Sequence, residues 1–226
     1  MKIIWIGQAG LYIEADGLKI LVDPYLSDSV GKVNPKNARR VAVDEAFLAI
    51  EPDVIVCTHN HLDHVDPETL SVYLGRGGRI TVLAPEAAWS EARKFGGDHN
   101  YVKFNRHSQW TAGGVRFYAV RAEHSDVHPI GVIIEAEGKR LYVTGDTLYN
   151  TDIFKDVLPF SPIDAVFLPI NGVGNNMNMV DAARFCEVIR PRVAVPLHWG
   201  LFDALNGADW CYSDKVVPEF FKEVLI

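Results

Sequence analysis

The chain has 226 residues, 48% hydrophobic and 23% charged, with a net charge of −7 at pH 7. That balance is globular rather than disordered, and it offers no basic face for a phosphate backbone, so no nucleic-acid partner is expected. Three cysteines without CxxC spacing exclude a disulfide framework, no apolar run approaches the roughly 18 residues of a membrane span, and Gly7-Gln8 interrupts MKIIWIGQAG too early for a signal peptide.

The expectation is a cytoplasmic protein with no membrane partner. The first clear element is a β-hairpin, GLYIEADGLKILV (Gly10–Val22), with an Asp-Gly turn between two apolar strands. Tyr25–Val43 shows no periodicity and reads as a rim loop over a site. PDVIVCT (Pro52–Thr58) reads as a buried strand from its continuous apolar run. THNHLDHVD (Thr58–Asp66) comes next, then a helix over Pro67–Leu74 and a strand, RITVLAP (Arg79–Pro85). A helix is predicted over Pro85–Phe95, with Pro85 in its first turn and Gly96-Gly97 as its stop.

The strand VRFYAV (Val115–Val120) leads into RAEHS. A second hairpin, GVIIEAEGKRLYV (Gly131–Val143), matches the first at Gly, Ile, Glu, Ala, Gly and Val. The elements after this hairpin repeat those after the first: an apolar strand IDAVFLP (Ile163–Pro169), a helix over about Met179–Ile189, and a strand RVAVPLH (Arg192–His198). Ala182, Ala183, Phe185, Cys186 and Ile189 share one face of that helix. Val217, Phe220, Phe221 and Val224 predict a terminal helix over Ser213–Leu225. The chain therefore reads as two similar α/β halves, approximately 1–110 and 111–226, joined near Thr111–Gly114. Strands separated by helices imply sheets covered on the outside, and two such halves packed sheet to sheet give one αββα sandwich domain.

The chemistry concentrates at strand ends, where a strand fixes the backbone and a loop reaches out. His59-x-His61 in an extended turn sends two imidazoles the same way. Asp63-His64 comes where the chain turns into the Pro67 helix, so it faces a neighbouring position. Imidazole and carboxylate at this density suit zinc-type coordination. His124 in RAEHS and His198 in PLHWG are open between ligand and hydrogen-bonded structural histidine. Asp146 in TGDT, read alone, is a turn or cap aspartate.

Thr58-His59-x-His61-x-Asp63-His64 resembles the signature of the metallo-β-lactamase superfamily, whose fold is a duplicated αββα sandwich. LVDP (Leu21–Pro24), the histidine motif, EHS, TGDT and PLHWG come in that family's order. PINGVGNNMN (Pro169–Asn178) and VPLHWGLF (Val195–Phe202) look most like its L-ascorbate-6-phosphate lactonase-like branch. The resemblance implies two divalent ions, Zn²⁺ or Mn²⁺ or Fe. His59, His61 and His124 would hold one, Asp63, His64 and His198 the other, and Asp146 would bridge them. Asp23 would hold a ligand imidazole in its tautomer. Relatives often carry His where this chain has Gln8.

Such a pair of ions acidifies a shared water for attack on a carbonyl or phosphoryl centre. Asp63 and Asp146 are the ligands also able to accept a proton. Gln8, Asn171, Asn178 and Trp199 are candidate substrate contacts, with Asn175, Asn176, Gly172 and Gly174 in the same strand-end loop as the two asparagines. Asn178 also reads as the cap of the next helix, and Trp199 and Phe202 either line the pocket or pack. Arg39, Arg40, Arg106 and His107 are candidates for an anionic group, or solvated surface charges. The expected function is hydrolysis of a lactone or ester of a small, phosphorylated or sugar-derived molecule. The alternatives are a metal-dependent phosphodiesterase and a metal-binding protein without turnover.

Overall fold

The computed structural model describes residues 1–226. Twelve strands form two six-stranded sheets. The first holds β1 (Lys2–Gly7), β2 (Gly10–Ala15), β3 (Leu18–Val22), β4 (Val54–Val56), β5 (Thr81–Ala84) and β6 (Asn100–Lys103), side by side in chain order. The second holds β7 (Gln109–Ala112), β8 (Val115–Arg121), β9 (Ile130–Ala136), β10 (Lys139–Val143), β11 (Ala165–Pro169) and β12 (Val193–Leu197), again side by side in chain order. In both sheets an antiparallel hairpin, β2–β3 or β9–β10, passes into parallel strands. The internal repeat in the sequence is thus a repeat of topology. Its turns are built alike: Asp16-Gly17 and Glu137-Gly138 all have positive φ, a conformation in which glycine carries no Cβ penalty.

The change of sheet falls at residues 104–108 rather than at Thr111–Gly114. Thr111 and Ala112 end β7, and Gly113-Gly114 turn it into β8.

The helices are α1 (Ser29–Val33), α2 (Glu45–Leu48), α3 (Pro67–Leu74), α4 (Glu86–Ala92), α5 (Ile153–Val157) and α6 (Met179–Ile189); α2 to α6 cover the outer faces and α1 lies beside the cavity at one end of the sheets. Side chains pointing inward from the two sheets, among them Trp5, Phe117 and Phe167, form the central core of 25 buried residues. A cluster of 17 lies between the first sheet and α3 and α4, and another of 17 between the second sheet and α5 and α6. The alternation of strand side chains between these clusters reflects the two-residue period of a strand. The order of layers is helix, sheet, sheet, helix, the αββα sandwich expected from the sequence. No helix is long and apolar enough to cross a membrane.

Two helix assignments need correction. The fourth helix starts at Glu86 with Pro85 as its N-cap, and its end tightens into a 3₁₀ turn at Arg93–Phe95. The helix expected over Ser213–Leu225 does not form. Pro218 lacks the amide hydrogen a helix needs, and the apolar residues serve two neighbours instead. Val216 N donates to Ala194 O on β12, while Phe221 N and Val224 N donate to Trp5 O and Ile3 O on β1. This segment therefore covers the free edges of both sheets. Phe220 stacks on Trp5 with ring centroids 4.2 Å apart.

Candidate metal centre

The candidate site residues come after strands that all point the same way. Gln8 comes after β1, Asp23 after β3 and His59 after β4 in the first sheet. His124 lies beyond β8, Asp146 beyond β10, Asn171 beyond β11 and His198 beyond β12 in the second. The carboxyl ends of parallel strands are where open α/β sheets place ligands. The two edges of the site meet directly. Ile130 N donates to Thr58 O, and Gly145 at φ +61° lies so close that a Cβ would sit 2.8 Å from Ile130 O and 2.9 Å from Thr58 Cβ. Glycine is required there, and the contact sets Asp146 beside the histidine motif.

Three donor trios result. His59, His61 and His124 form one, Asp63, His64 and His198 a second, and His59, His64 and Asp146 a third, each with ligand atoms within 4.8 Å of one another. Asp146 Oδ2 lies 3.4 Å from His64 Nε2, 3.1 Å from His198 Nε2 and 3.8 Å from His124 Nε2, at the junction of the first two trios. The motif's last acid, Asp66, stays outside: its carboxylate caps α3 by accepting from Glu68 N and Thr69 N.

Hydrogen-bond partners fix the imidazoles, those of His64 and His59 fully buried. His64 Nδ1 donates to Asp23 Oδ2 at 2.8 Å. Thr58 Oγ1 donates to the same oxygen at 2.6 Å and lies 3.1 Å from His59 Nδ1. His124 Nδ1 donates to the carbonyl of Asn175 at 3.0 Å. Each of these three rings then presents Nε2 to the centre, with its other nitrogen fixed by a partner as is usual for a ligand imidazole. Thr58 and the Asn175 carbonyl are not among the sequence candidates for these roles. Thr58 is signalled by its place before His59, whereas a backbone carbonyl leaves no residue-type signal.

The donor chemistry fits a cation. His59 Nε2, His64 Nε2 and Asp146 Oδ1 are buried and have no hydrogen-bond partner. An unmade hydrogen bond at a buried polar atom costs about 1–3 kcal/mol, and an ion bound among these atoms removes that cost. The charges agree. Burial pulls His64 and His198 down, but the Asp146 carboxylate and its acidic neighbours outweigh it, raising His64 well above the usual imidazole range and His198 to about 10. Burial pushes Asp63 and Asp146 up, yet the facing imidazoles His64 and His198 hold both carboxyls below the usual range. The cluster draws positive charge to its centre.

Amides surround the second trio. Gln8 Nε2 donates to Asp63 Oδ2 at 2.9 Å, Asn176 Nδ2 to Asp146 Oδ2 at 2.9 Å, and Asn171 Nδ2 lies 2.9 Å from His198 Nδ1. Gln8 and Asn171 line the cavity over the centre, as do Asn175, Asn176 and Phe202. Asn178 does not line it: its Oδ1 accepts from Val180 N and Asp181 N as the cap of α6. Trp199 does not line it either. The residue after a strand-end ligand points the other way, and its ring packs 5.0 Å from Trp5. The expected cations are elsewhere. Arg106 pairs with Asp156, Arg39 donates to Tyr25 O, and neither Arg40 nor His107 lines the cavity.

The sandwich and its convergent His/Asp donors define a hydrolase-type metalloprotein with its site between two repeated halves. The beta-lactamase superfamily domain matches residues 2–198, and the chain belongs to that superfamily. Proteins named UPF0173 metal-dependent hydrolase from Staphylococcus aureus and Staphylococcus epidermidis are 29% identical over 231 residues, covering 96% of this chain and 93% of theirs. The solved structure of Igni18, a metallo hydrolase of Ignicoccus hospitalis, superimposes with a TM-score of 0.80 at 20% identity, covering 99% of this chain and 97% of that one. An isothiocyanate hydrolase from Delia radicum gut bacteria gives 0.77 at 20% identity, covering 100% and 99%. By these comparisons the protein is an enzyme of the metal-dependent hydrolase class.

Proposed function

We propose that the protein hydrolyses a lactone or related ester of a small molecule, using two divalent ions. His59, His61 and His124 hold one, Asp63, His64 and His198 the other, and Asp146 stands between them. The observation that carries this reading is the set of buried, unpartnered donor atoms at His59, His64 and Asp146, drawn from both halves of the chain. Zn²⁺, Mn²⁺ and Fe all suit a His/Asp set. When bound, such ions acidify a water and stabilise negative charge on the reacting oxygen.

The chain's own groups supply the rest. Asp23 and Thr58 orient His64 and His59, and the Asn175 carbonyl orients His124. Asp63, held by Gln8, and Asp146, held by Asn176, are the carboxylates placed to take a proton from the reacting water. The cavity above them, about 560 Å³, suits a small molecule. The Pro169–Asn178 segment supports a place near the lactonase-like branch. A small polar substrate and the acidic overall charge are consistent with a cytoplasmic enzyme.

The test has two parts. Protein purified without chelators should carry at least one equivalent of transition metal, measured by mass spectrometry of the element. A panel of lactones and esters should then be turned over faster than bis-p-nitrophenyl phosphate. Metal well below one equivalent sinks the metal assignment, and turnover confined to the phosphodiester replaces ester hydrolysis with phosphodiester hydrolysis.

A further inference from the structure

The cavity over the candidate centre has a one-sided wall. Outside the candidate ligands, the only charged side chain lining it is Asp203. No lysine or arginine lines it. The guanidinium of Arg39, in the loop beside the rim, stays outside the cavity lining: it lies over the Tyr25 ring at 5.3 Å, donates to Tyr25 O and Val41 O, and keeps its Nη2 buried without a partner.

Asp203 is held firmly. Its Oδ1 accepts from Gly200 N at 3.0 Å and from Leu205 N at 2.9 Å. Gly200 makes this turn at φ +72°, and the neighbouring Phe202 ring meets Tyr25 edge-on at 5.6 Å. The other carboxylate oxygen, Oδ2, makes no hydrogen bond within the protein, so it is an available acceptor. The rest of the polar wall is neutral. Asn37 and Asn175 line the cavity with side-chain amides that bond to nothing in the chain. Asn176 turns its amide nitrogen to Asp146, leaving its Oδ1 without a donor, and the Asn171 amide lies 2.9 Å from His198 Nδ1.

We propose that the site takes a neutral, hydroxyl-bearing lactone or ester, and that Asp203 selects against substrates carrying an anionic group away from the bond that is cleaved. This rests on the hydrolase reading above and narrows its substrate class, excluding the phosphorylated members. A substrate hydroxyl donates to Asp203 Oδ2 in a charge-assisted hydrogen bond. The ionised phosphate group of a monoester brings acceptor oxygens only. It finds no guanidinium fork to receive them and meets a fixed like charge in a partly desolvated wall, where charge interactions exceed their strength in water.

The experiment compares glucono-δ-lactone with its phosphate monoester on metal-loaded protein, each corrected for spontaneous hydrolysis. The neutral lactone should have the higher kcat/KM, by about tenfold or more. Asp203→Lys should narrow or invert that ratio, chiefly by lowering KM for the phosphorylated lactone, and Asp203→Asn should move it in the same direction by less. Equal or faster turnover of the phosphorylated lactone by the unaltered protein overturns the proposal and leaves the hydrolase reading standing. A ratio unmoved in both folded variants overturns the role of Asp203. If neither lactone is turned over with metal bound, the lactone reading itself fails and takes this inference with it.

Discussion

The Asp23 carboxylate and the His64 imidazole are both fully buried and share a hydrogen bond of 2.8 Å. The same carboxylate accepts from Thr58 N and Thr58 Oγ1, so three donors converge on it. Asparagine offers one oxygen and turns an amide hydrogen against a donor. Asp23→Asn should therefore weaken metal binding about 10–100-fold and lower stability by about 1–3 kcal/mol. Metal titration with a chromophoric chelator and urea unfolding of the metal-free protein measure the two effects separately.

Removal of metal should give the protein a distinct pH profile of stability. In the metal-free form His198 is raised to about 10 by Asp146 and Asp63 against the pull of burial. A raised folded value stabilises fully below the unfolded imidazole value of about 6.5, and that contribution fades as pH rises toward 10. The partner carboxylates are depressed, so their side of the same interaction is lost as pH falls below the unfolded value of about 4. The urea midpoint of chelated protein should peak between these limits. Metal addition at pH 7 should release protons to an indicator dye, because the ion replaces them on His64 and His198. A flat midpoint between pH 5 and pH 9 would count against this charge arrangement.

Gly145→Ala should damage both stability and the site. The residue sits at φ +61°, and an added Cβ meets backbone at 2.8 Å. Strain of this kind costs about 2 kcal/mol or more, which lowers Tm by roughly 4 °C or more in a chain of this size. Asp146 is the next residue, so metal affinity should fall with it. Thermal unfolding and metal titration on one preparation show whether the two losses travel together.

A chain ending at Tyr212 should aggregate. It leaves the β1 and β12 edges unpaired, and an open strand edge is a template for association. It also uncovers Trp5, which is buried under Phe220. Light scattering during refolding reads this outcome. Phe220→Ala in the full chain isolates the packing part, at about 1–2 kcal/mol for this half-buried ring.

The donors are legible in the sequence because each is a metal-binding residue type at a strand end. Their grouping comes from the family likeness. The geometry of THNHLDHVD explains why the motif is so dense: His59 and His61 belong to one trio, Asp63 and His64 to another, and Asp66 caps the helix that comes next. Less is legible where one residue type has several uses. Asn171, Asn175, Asn176 and Asn178 share one loop, yet they contact an imidazole, lend a backbone carbonyl, hold Asp146 and cap α6 in turn. Adjacency to His198 misleads for Trp199, since neighbours at a strand end face opposite layers. The segment after Tyr212 misleads in another way: its apolar spacing matches a helix, while its residues pack separately on the edges of two sheets.

The contact of Thr58 with Ile130 and Gly145 locks the two halves together directly beneath the donors. The cavity rim comes from other pieces of chain: Val30 and Asn37, Val173 and Gly174, and Phe202 and Asp203. Val30, Asn37, Phe202 and Asp203 lie outside the stretches that carry the donors and the groups holding them, whereas Val173 and Gly174 sit in the loop of Asn171, Asn175 and Asn176, which touches His198, His124 and Asp146. A lineage, or a designer, can rewrite the two rim stretches around Val30–Asn37 and Phe202–Asp203 and reshape the cavity without disturbing the seam beneath the donors.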